Sequence, residues 1–270
     1  MIDAFHYSKR DIVARLRDVG LMRGDHIFVH SNLGFFGKLE NATTSVDYYR
    51  IFKEAIFEVI GDEGTLVVPS FTYSFLKGEE FDIDNSPSFC GIFSEMVRKD
   101  LEARRSEDAN FSVCALGKLS EFFTQNVSQY SFGDDSFWHR FHEKKGKFCN
   151  FNFDAGTTYI HYVERCLGVS YRKDVPYTGF SVINGEKSKK MYYHFFRVCP
   201  HYTVDVNAPA YARFSQRARE QHLVRVANLG KGQILAVGSE AIYQFIEKEI
   251  KKDQAFLIED AWSAPDNRAF

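Results

Sequence analysis

Residues 24 to 71 constrain the fold more than any other stretch of the chain. An apolar run, Ile27, Phe28 and Val29, follows Gly24-Asp25 and reads as a short strand. "SVDYYRIFKEAIFEVIG" comes next, placing Tyr48, Ile51, Phe52, Ala55, Ile56 and Val59 at helical spacing before Gly61 stops it. A second apolar run, "GTLVVPSF", closes the unit. Strands that are apolar at nearly every position are covered on both faces, which is the situation of a parallel sheet whose crossover helices pack against it. The segment therefore predicts a βαβ unit.

The rest of the chain continues the alternation. Ile12, Val13, Leu16 and Val19 share one face of an amphipathic first helix. A short helix at "IFSEMVRKDL" precedes a strand at "NFSVCALG"; a helix at "WHRFHEKK" precedes a strand at "KFCNFNF" and then a helix carrying His161. Asn184-Gly185, set between two strand-like runs, is a strong hairpin signal. "HLVRVANLG", "GQILAVG" and the helix "SEAIYQFIEKEIKK" follow, with Ser239 as its expected N-cap. No repeat, low-complexity tract or linker divides the chain. The expectation is an α/β fold with a mixed central sheet flanked by helices, forming a single domain over 1–270 with an inserted antiparallel hairpin at 176–198.

Composition narrows the function classes. A net charge of −2 sets aside a strongly basic nucleic-acid binder, and it also lacks the acidic excess of a protein that steers polycations into a cleft. No apolar stretch approaches the roughly 20 residues of a membrane-spanning helix, and the first residues do not read as a signal peptide, so a cytoplasmic protein is expected. The cysteines at 90, 114, 149, 166 and 199 are dispersed without a C-x-x-C pair, the pattern of buried thiols rather than of disulfides or zinc.

Three segments could carry chemistry. In "TTYIHYVERC", His161 and Glu164 stand at i and i+3 on one helix face, with Thr157 or Thr158 as the N-cap. Taken alone the pair fits a structural polar pair, a general base with a carboxylate that fixes its tautomer, or part of a metal site. No second His, Glu or Cys cluster supplies further ligands at metal spacing. "VHSNLGFFG" runs from the carboxyl end of a buried strand into a loop, the usual ligand position in α/β folds, although an ordinary turn reads the same way. "RRSEDANFSVCALG" sets two arginines and a serine before a strand, suited to a phosphate or to a solvated loop. Neither a G-x-G-x-x-G fingerprint nor a P-loop is present.

Six segments in order, "GDHIFVHSNLGFFG", "GTLVVPSFTYSF", "GIFSEMVRK", "RSEDANFSVCALG", "FGDDSFWHRF" and "TTYIHYVER", resemble the antibiotic N-acetyltransferase family, which includes the aminoglycoside 3-N-acetyltransferases. The resemblance runs from about residue 8 to about 172 and weakens afterward. It implies an acetyl-CoA-dependent N-acetyltransferase that works by direct transfer, without a metal. It further implies catalytic His161 and Glu164, and a coenzyme side lined by Ser31, Asn32, Leu33, Ser70, Thr72, Arg105, Ser106 and Ser112, with Arg105 a partner for a coenzyme phosphate. Two departures bear on the acceptor. The family's Arg-Ser-x-His-Pro motif reads Arg105-Ser106-Glu107-Asp108-Ala109 here, and "SFTYSF" lacks the acidic residue of drug-modifying members. A small-molecule amine is the expected partner, with no nucleic acid or membrane; a homodimer is left open. The preferred acceptor is an amino sugar, free or nucleotide-linked, the latter destined for a surface polysaccharide. Aminoglycoside acetylation, transfer of another acyl group or to oxygen, and an inactive coenzyme-binding member are the alternatives.

Overall fold

The computed structural model describes residues 5–197 and 211–258. In chain order the elements are α1 (Lys9–Asp18), β1 (His26–Phe28), α2 (Ser45–Ile60), β2 (Thr65–Pro69), α3 (Ser74–Lys77), β3 (Phe81–Asp82), α4 (Ile92–Arg98), β4 (Arg104–Arg105) and β5 (Val113–Gly117). They continue with α5 (Ser120–Thr124), α6 (Phe137–Glu143), β6 (Lys147–Phe151), α7 (Ile160–Cys166), β7 (Arg172–Ile183), β8 (Glu186–Arg197), α8 (Tyr211–Glu220), β9 (Arg225–Leu229), β10 (Gly232–Gly238) and α9 (Ser239–Lys252).

Local chemistry explains where several of these begin and end. Ser8 and Asp11 form a reciprocal capping box on α1, and Thr44 with Asp47 does the same for α2, so the first free amides of both helices are met by side chains. Gly61 closes α2 at φ 65°, a conformation that a Cβ disfavours. One expected cap is replaced: Ser239 is already the first helical residue of α9, and Gly238 occupies the cap position without a side-chain bond. The Ser239 hydroxyl is buried and makes no hydrogen bond.

The larger sheet has the order β4-β5-β2-β1-β6-β10-β9. Its centre is parallel, β1 pairing with β2 on one side and with β6 on the other, while β5 and β10 run antiparallel. The segment 24–71 thus forms the βαβ unit, and the sheet as a whole is mixed. Side chains alternate across it with the period of two that a strand requires. Ile27, Val29, Leu66, Val68, Cys149 and Phe151 face α1, α2 and α4; Phe28, Val67, Phe148, Leu235 and Val237 face α6, α7 and α9. The second layer is the aromatic one. Phe28 is fully buried, with its ring 5.1 Å from Trp138, 5.6 Å from Phe137 and 5.8 Å from Phe148.

A smaller sheet, β3-β7-β8, is built on the long β7–β8 hairpin. Asn184 (φ 52°) and Gly185 (φ 76°) are both left-handed, as a two-residue turn matched to the strand twist requires. Residue 198, the expected end of this insertion, lies outside the described residues. The expected burial of all the thiols is corrected at one position: Cys114 and Cys149 are buried and Cys90 partly so, but Cys166 is exposed at the end of α7. Cys199 lies outside the described residues. No helix of the described residues is long and apolar enough to cross a membrane.

Because Phe28 sits at the centre of the aromatic layer, Phe28→Ala should lower unfolding free energy by about 3–5 kcal/mol, read from denaturant midpoints. A loss below about 1 kcal/mol would contradict the packing described.

Candidate active site

The loops after β1 and β2 leave the carboxyl ends of adjacent parallel strands, and a crevice opens between them. A cavity of about 800 Å³ lies there, lined among others by His30, Ser31, Leu33, Tyr73, Phe89 and Thr158. A second cavity of about 380 Å³ is lined by His161, Phe111, Phe132, Arg172, His194 and Phe196. Tyr73 and Thr158 line both, so the two volumes share a wall.

His161 and Glu164 project from α7 as their spacing requires. His161 is 9% exposed and Glu164 is fully buried. His161 Nδ1 lies 2.8 Å from Glu164 Oε2. An ionised carboxylate only accepts hydrogen bonds, so Nδ1 carries the proton and Nε2 keeps its lone pair. Glu164 has two further partners. The Tyr171 hydroxyl donates to Oε1 at 2.9 Å, and Arg172 Nε stands 2.7 Å from Oε2 as an ion pair.

These contacts set the charges. Burial favours the neutral carboxylic acid at Glu164, but the His161 hydrogen bond and the Arg172 charge outweigh it, leaving its pKa below the usual value. Burial, and then the Arg172 charge, lower His161, while Glu164 pulls it back up. The resting site is therefore a neutral imidazole beside a carboxylate–guanidinium pair. No side chain caps α7; the carbonyls of Thr157 and Thr158 take the Ile160 and His161 amides at 3.1 Å in a tight turn instead.

The expected coenzyme residues separate into two groups. Ser31, Asn32 and Leu33 line the larger cavity, and the Ser31 hydroxyl is buried without a hydrogen-bond partner. Ser70, Thr72, Arg105, Ser106 and Ser112 form a scaffold behind it. Thr72 Oγ1 donates to the Ala109 carbonyl at 2.7 Å, Ser112 Oγ to that of Ser70 at 2.7 Å, and Ser106 Oγ accepts the Val113 amide at 2.9 Å. Arg105 donates to the carbonyls of Ser86 (2.6 Å), Ser70 (2.8 Å) and Ile83 (3.1 Å) and to Ser112 Oγ (3.2 Å). Arg105 thereby ties three loops together. Burial lowers its pKa to about 10, which still leaves it charged.

Sequence reasoning missed Tyr171, Arg172, Tyr73 and His194 as members of the site. His30, half-buried, is bonded through Nδ1 to Asn150 Oδ1 at 3.1 Å. His194 is 1% exposed. Burial lowers both histidines to about 4. Arg172 carried a signal in its position eight residues after Glu164, but a lone arginine at a strand start is more often a solvated one.

Two consequences are measurable. Glu164→Gln removes the counter-charge of a buried guanidinium and should cost about 3–5 kcal/mol of stability in denaturant titration. Stability should also fall with acid. Histidines in an unfolded chain protonate near the ordinary value of about 6.5, whereas folded His30 and His194 stay neutral down to about 4. The unfolded state binds more protons in that window, so stability present above pH 6.5 drains as pH falls through it. For the fully buried His194 the loss is roughly 3 kcal/mol. Denaturant midpoints at pH 7.5 and 4.5 check this, and His194→Gln should show the smaller drop.

Comparison with known proteins agrees with this layout. The profile of a family described as aminoglycoside 3-N-acetyltransferase matches residues 28–251. The SPbeta prophage-derived aminoglycoside N(3')-acetyltransferase-like protein YokD of Bacillus subtilis (strain 168) is 25% identical over 155 residues, which is 49% of this chain and 55% of that protein. The chain thus spans about half the length of the curated relative it matches. Among solved structures, AAC-IIIb in binary complex with CoASH superposes with a TM-score of 0.77 at 19% identity, covering 96% of this chain and 99% of that one. AAC-VIa with sisomicin bound gives a TM-score of 0.79 at 19% identity, covering 91% of this chain and 98% of that one. At such identities the likeness is one of fold, and it extends well beyond residue 172.

Proposed function

Because the chain belongs to the aminoglycoside 3-N-acetyltransferase family, we propose that it moves an acetyl group from acetyl-CoA onto an amine borne on a ring. The observation that carries this reading is the wall shared by the two cavities. The larger one has the volume and apolar rim for the thioester arm. The smaller one presents His161, and Tyr73 and Thr158 border both. A coenzyme and an acceptor bound side by side would meet at that wall, in the arrangement of a ternary complex.

The reaction follows from the charges already described. The acceptor nitrogen attacks the thioester carbonyl while His161 Nε2 takes its proton; the new imidazolium is stabilised by Glu164, whose own charge Arg172 holds in place. The C–N bond forms, the carbonyl oxygen carries negative charge in the tetrahedral intermediate, and collapse breaks the C–S bond. The departing thiolate takes up the proton held by His161. Donors for the oxygen are restricted. The amides of Asn32, Ser70 and Thr72 are already bonded to the carbonyls of Phe151, Ser112 and Asn110. The Ser31 hydroxyl, buried without a hydrogen-bond partner, is one donor that the expected set retains.

Two acceptor classes stand apart. The relatives named for aminoglycosides favour an aminoglycoside. A second reading, an amino sugar of lower positive charge, free or carried on a nucleotide, rests on a specific observation. Among the described residues lining the His161 cavity, Arg172 is the charged one and no Asp or Glu is present. A polycation needs several carboxylates that this wall does not provide.

Thiol release from acetyl-CoA, followed across aminoglycosides and single-ring amino sugars, tests both. Release that depends on the amine is the expected result, and coenzyme binding with no release over the whole panel would overturn it. His161→Ala should lower kcat by about 10²-fold or more with coenzyme affinity retained, as removal of a general base does. The acid limb of kcat should lie below pH 6.5, since burial lowers His161 and the base must be neutral to act.

A further inference from the structure

We propose that His194 anchors the acceptor in the His161 cavity by binding a hydroxyl on the ring that carries the reacting amine. This rests on the acetyl-transfer reading and adds to it the group that selects the acceptor.

His194 lies in β8, opposite Val175 of β7. It is 1% exposed, and its Nε2 is buried without a hydrogen-bond partner. A buried polar nitrogen left unpaired is costly to a fold, so such a group in a cavity wall points to a ligand that completes it. The ring is held firmly for that purpose. Phe111 lies 4.6 Å from it, Tyr177 5.3 Å and Phe196 5.7 Å, centroid to centroid. The two histidines flank one aromatic pair: His161 packs on Phe132 at 5.2 Å, Phe132 on Phe111 at 5.1 Å, and Phe111 on His194. All four line the same cavity. A ring seated against Phe111 and Phe132 therefore has a base at one end and an unpaired imidazole nitrogen at the other.

The chemistry of that nitrogen identifies its partner. Burial keeps His194 neutral, against the pull of the buried Asp108, which accepts the Asn110 and Phe111 amides. A neutral imidazole has one donor and one acceptor nitrogen. A hydroxyl serves Nε2 in either tautomer, whereas an ammonium needs the lone pair and a carboxylate needs the N–H. The cavity, at about 380 Å³, stands near the lower end for ligand sites and suits a single ring. The class of acceptor selected is a hydroxylated ring amine.

The test compares trans-2-aminocyclohexanol with cyclohexylamine as acceptors for the full-length chain and acetyl-CoA. Wild type should prefer the amino alcohol by about tenfold or more in kcat/KM, as expected when a buried hydrogen bond is made or missed. His194→Phe keeps the aromatic packing and should bring the ratio to about one, through loss of kcat/KM for the amino alcohol. His194→Gln, which restores both a donor and an acceptor, should recover a preference. If the Phe variant does not fold, His194→Leu is read in the same way. A wild type without preference, or a Phe or Leu variant that retains it, overturns the role of His194 and leaves acetyl transfer standing. No thiol release with either probe or with any amine of the wider panel overturns both.

Discussion

The buried carboxylate of Glu164 is the constraint on which the site depends. A carboxylate with no exposure is tolerated only when its charge is paired and its oxygens are bonded. Here those needs are met by three residues from two elements and the turn between them: His161 on α7, Tyr171 in the turn, and Arg172 at the start of β7. The same charge therefore does two things. It fixes the proton on His161 Nδ1, leaving Nε2 free, and it fastens the long hairpin to the helix that carries the base. With the hairpin so fastened, β8 brings His194, Phe195 and Phe196 to the cavity wall. Orientation of the base and construction of the acceptor side follow from one electrostatic requirement.

The sheet sets where this happens. Strict alternation on β1, β2 and β6 divides the interior into an aliphatic and mixed layer under α1 and α2 and an aromatic layer under α6, α7 and α9. The larger cavity opens between the loops after β1 and β2, and α7, which follows β6, enters beside it. Arg105 gives the opening its rigidity. Its guanidinium joins the loop after β2, the segment at 83–86 and Ser112, and it packs 5.0 Å from the Phe81 ring.

Much of the architecture was readable from local pattern. The apolar runs at 27–29 and 65–69, the helical spacing of 45–60, and Asn184-Gly185 each signal an element through its own periodicity or dihedral demand. His161 and Glu164 were readable as a facing pair because helix geometry alone sets i and i+3 together. Ser31, Asn32 and Leu33 were readable as cavity residues because they follow a buried strand. Ser239 was misjudged as a cap because two adjacent residues, Gly238 and Ser239, both suit a helix start, and strand β10 pairs through Gly238 and decides between them. The bonds that Thr72, Ser106 and Ser112 make to carbonyls and amides of distant segments had no local signal.

The sequence by itself determined the α/β order, the two-sided burial of the central strands, and a histidine and glutamate on one helix face. Each depends on spacing within a short segment, where backbone geometry leaves little freedom. Tertiary structure alone decided the protonation and company of that pair. Arg172 and Tyr171 reach Glu164 only because the chain turns back after α7, and burial there lowers the pKa of His161. It also decided that His194, distant from His161 in sequence, faces the same cavity with an unsatisfied nitrogen. Burial and partnership are properties of the packed chain, since water is excluded and charges are paired by residues that no local pattern connects.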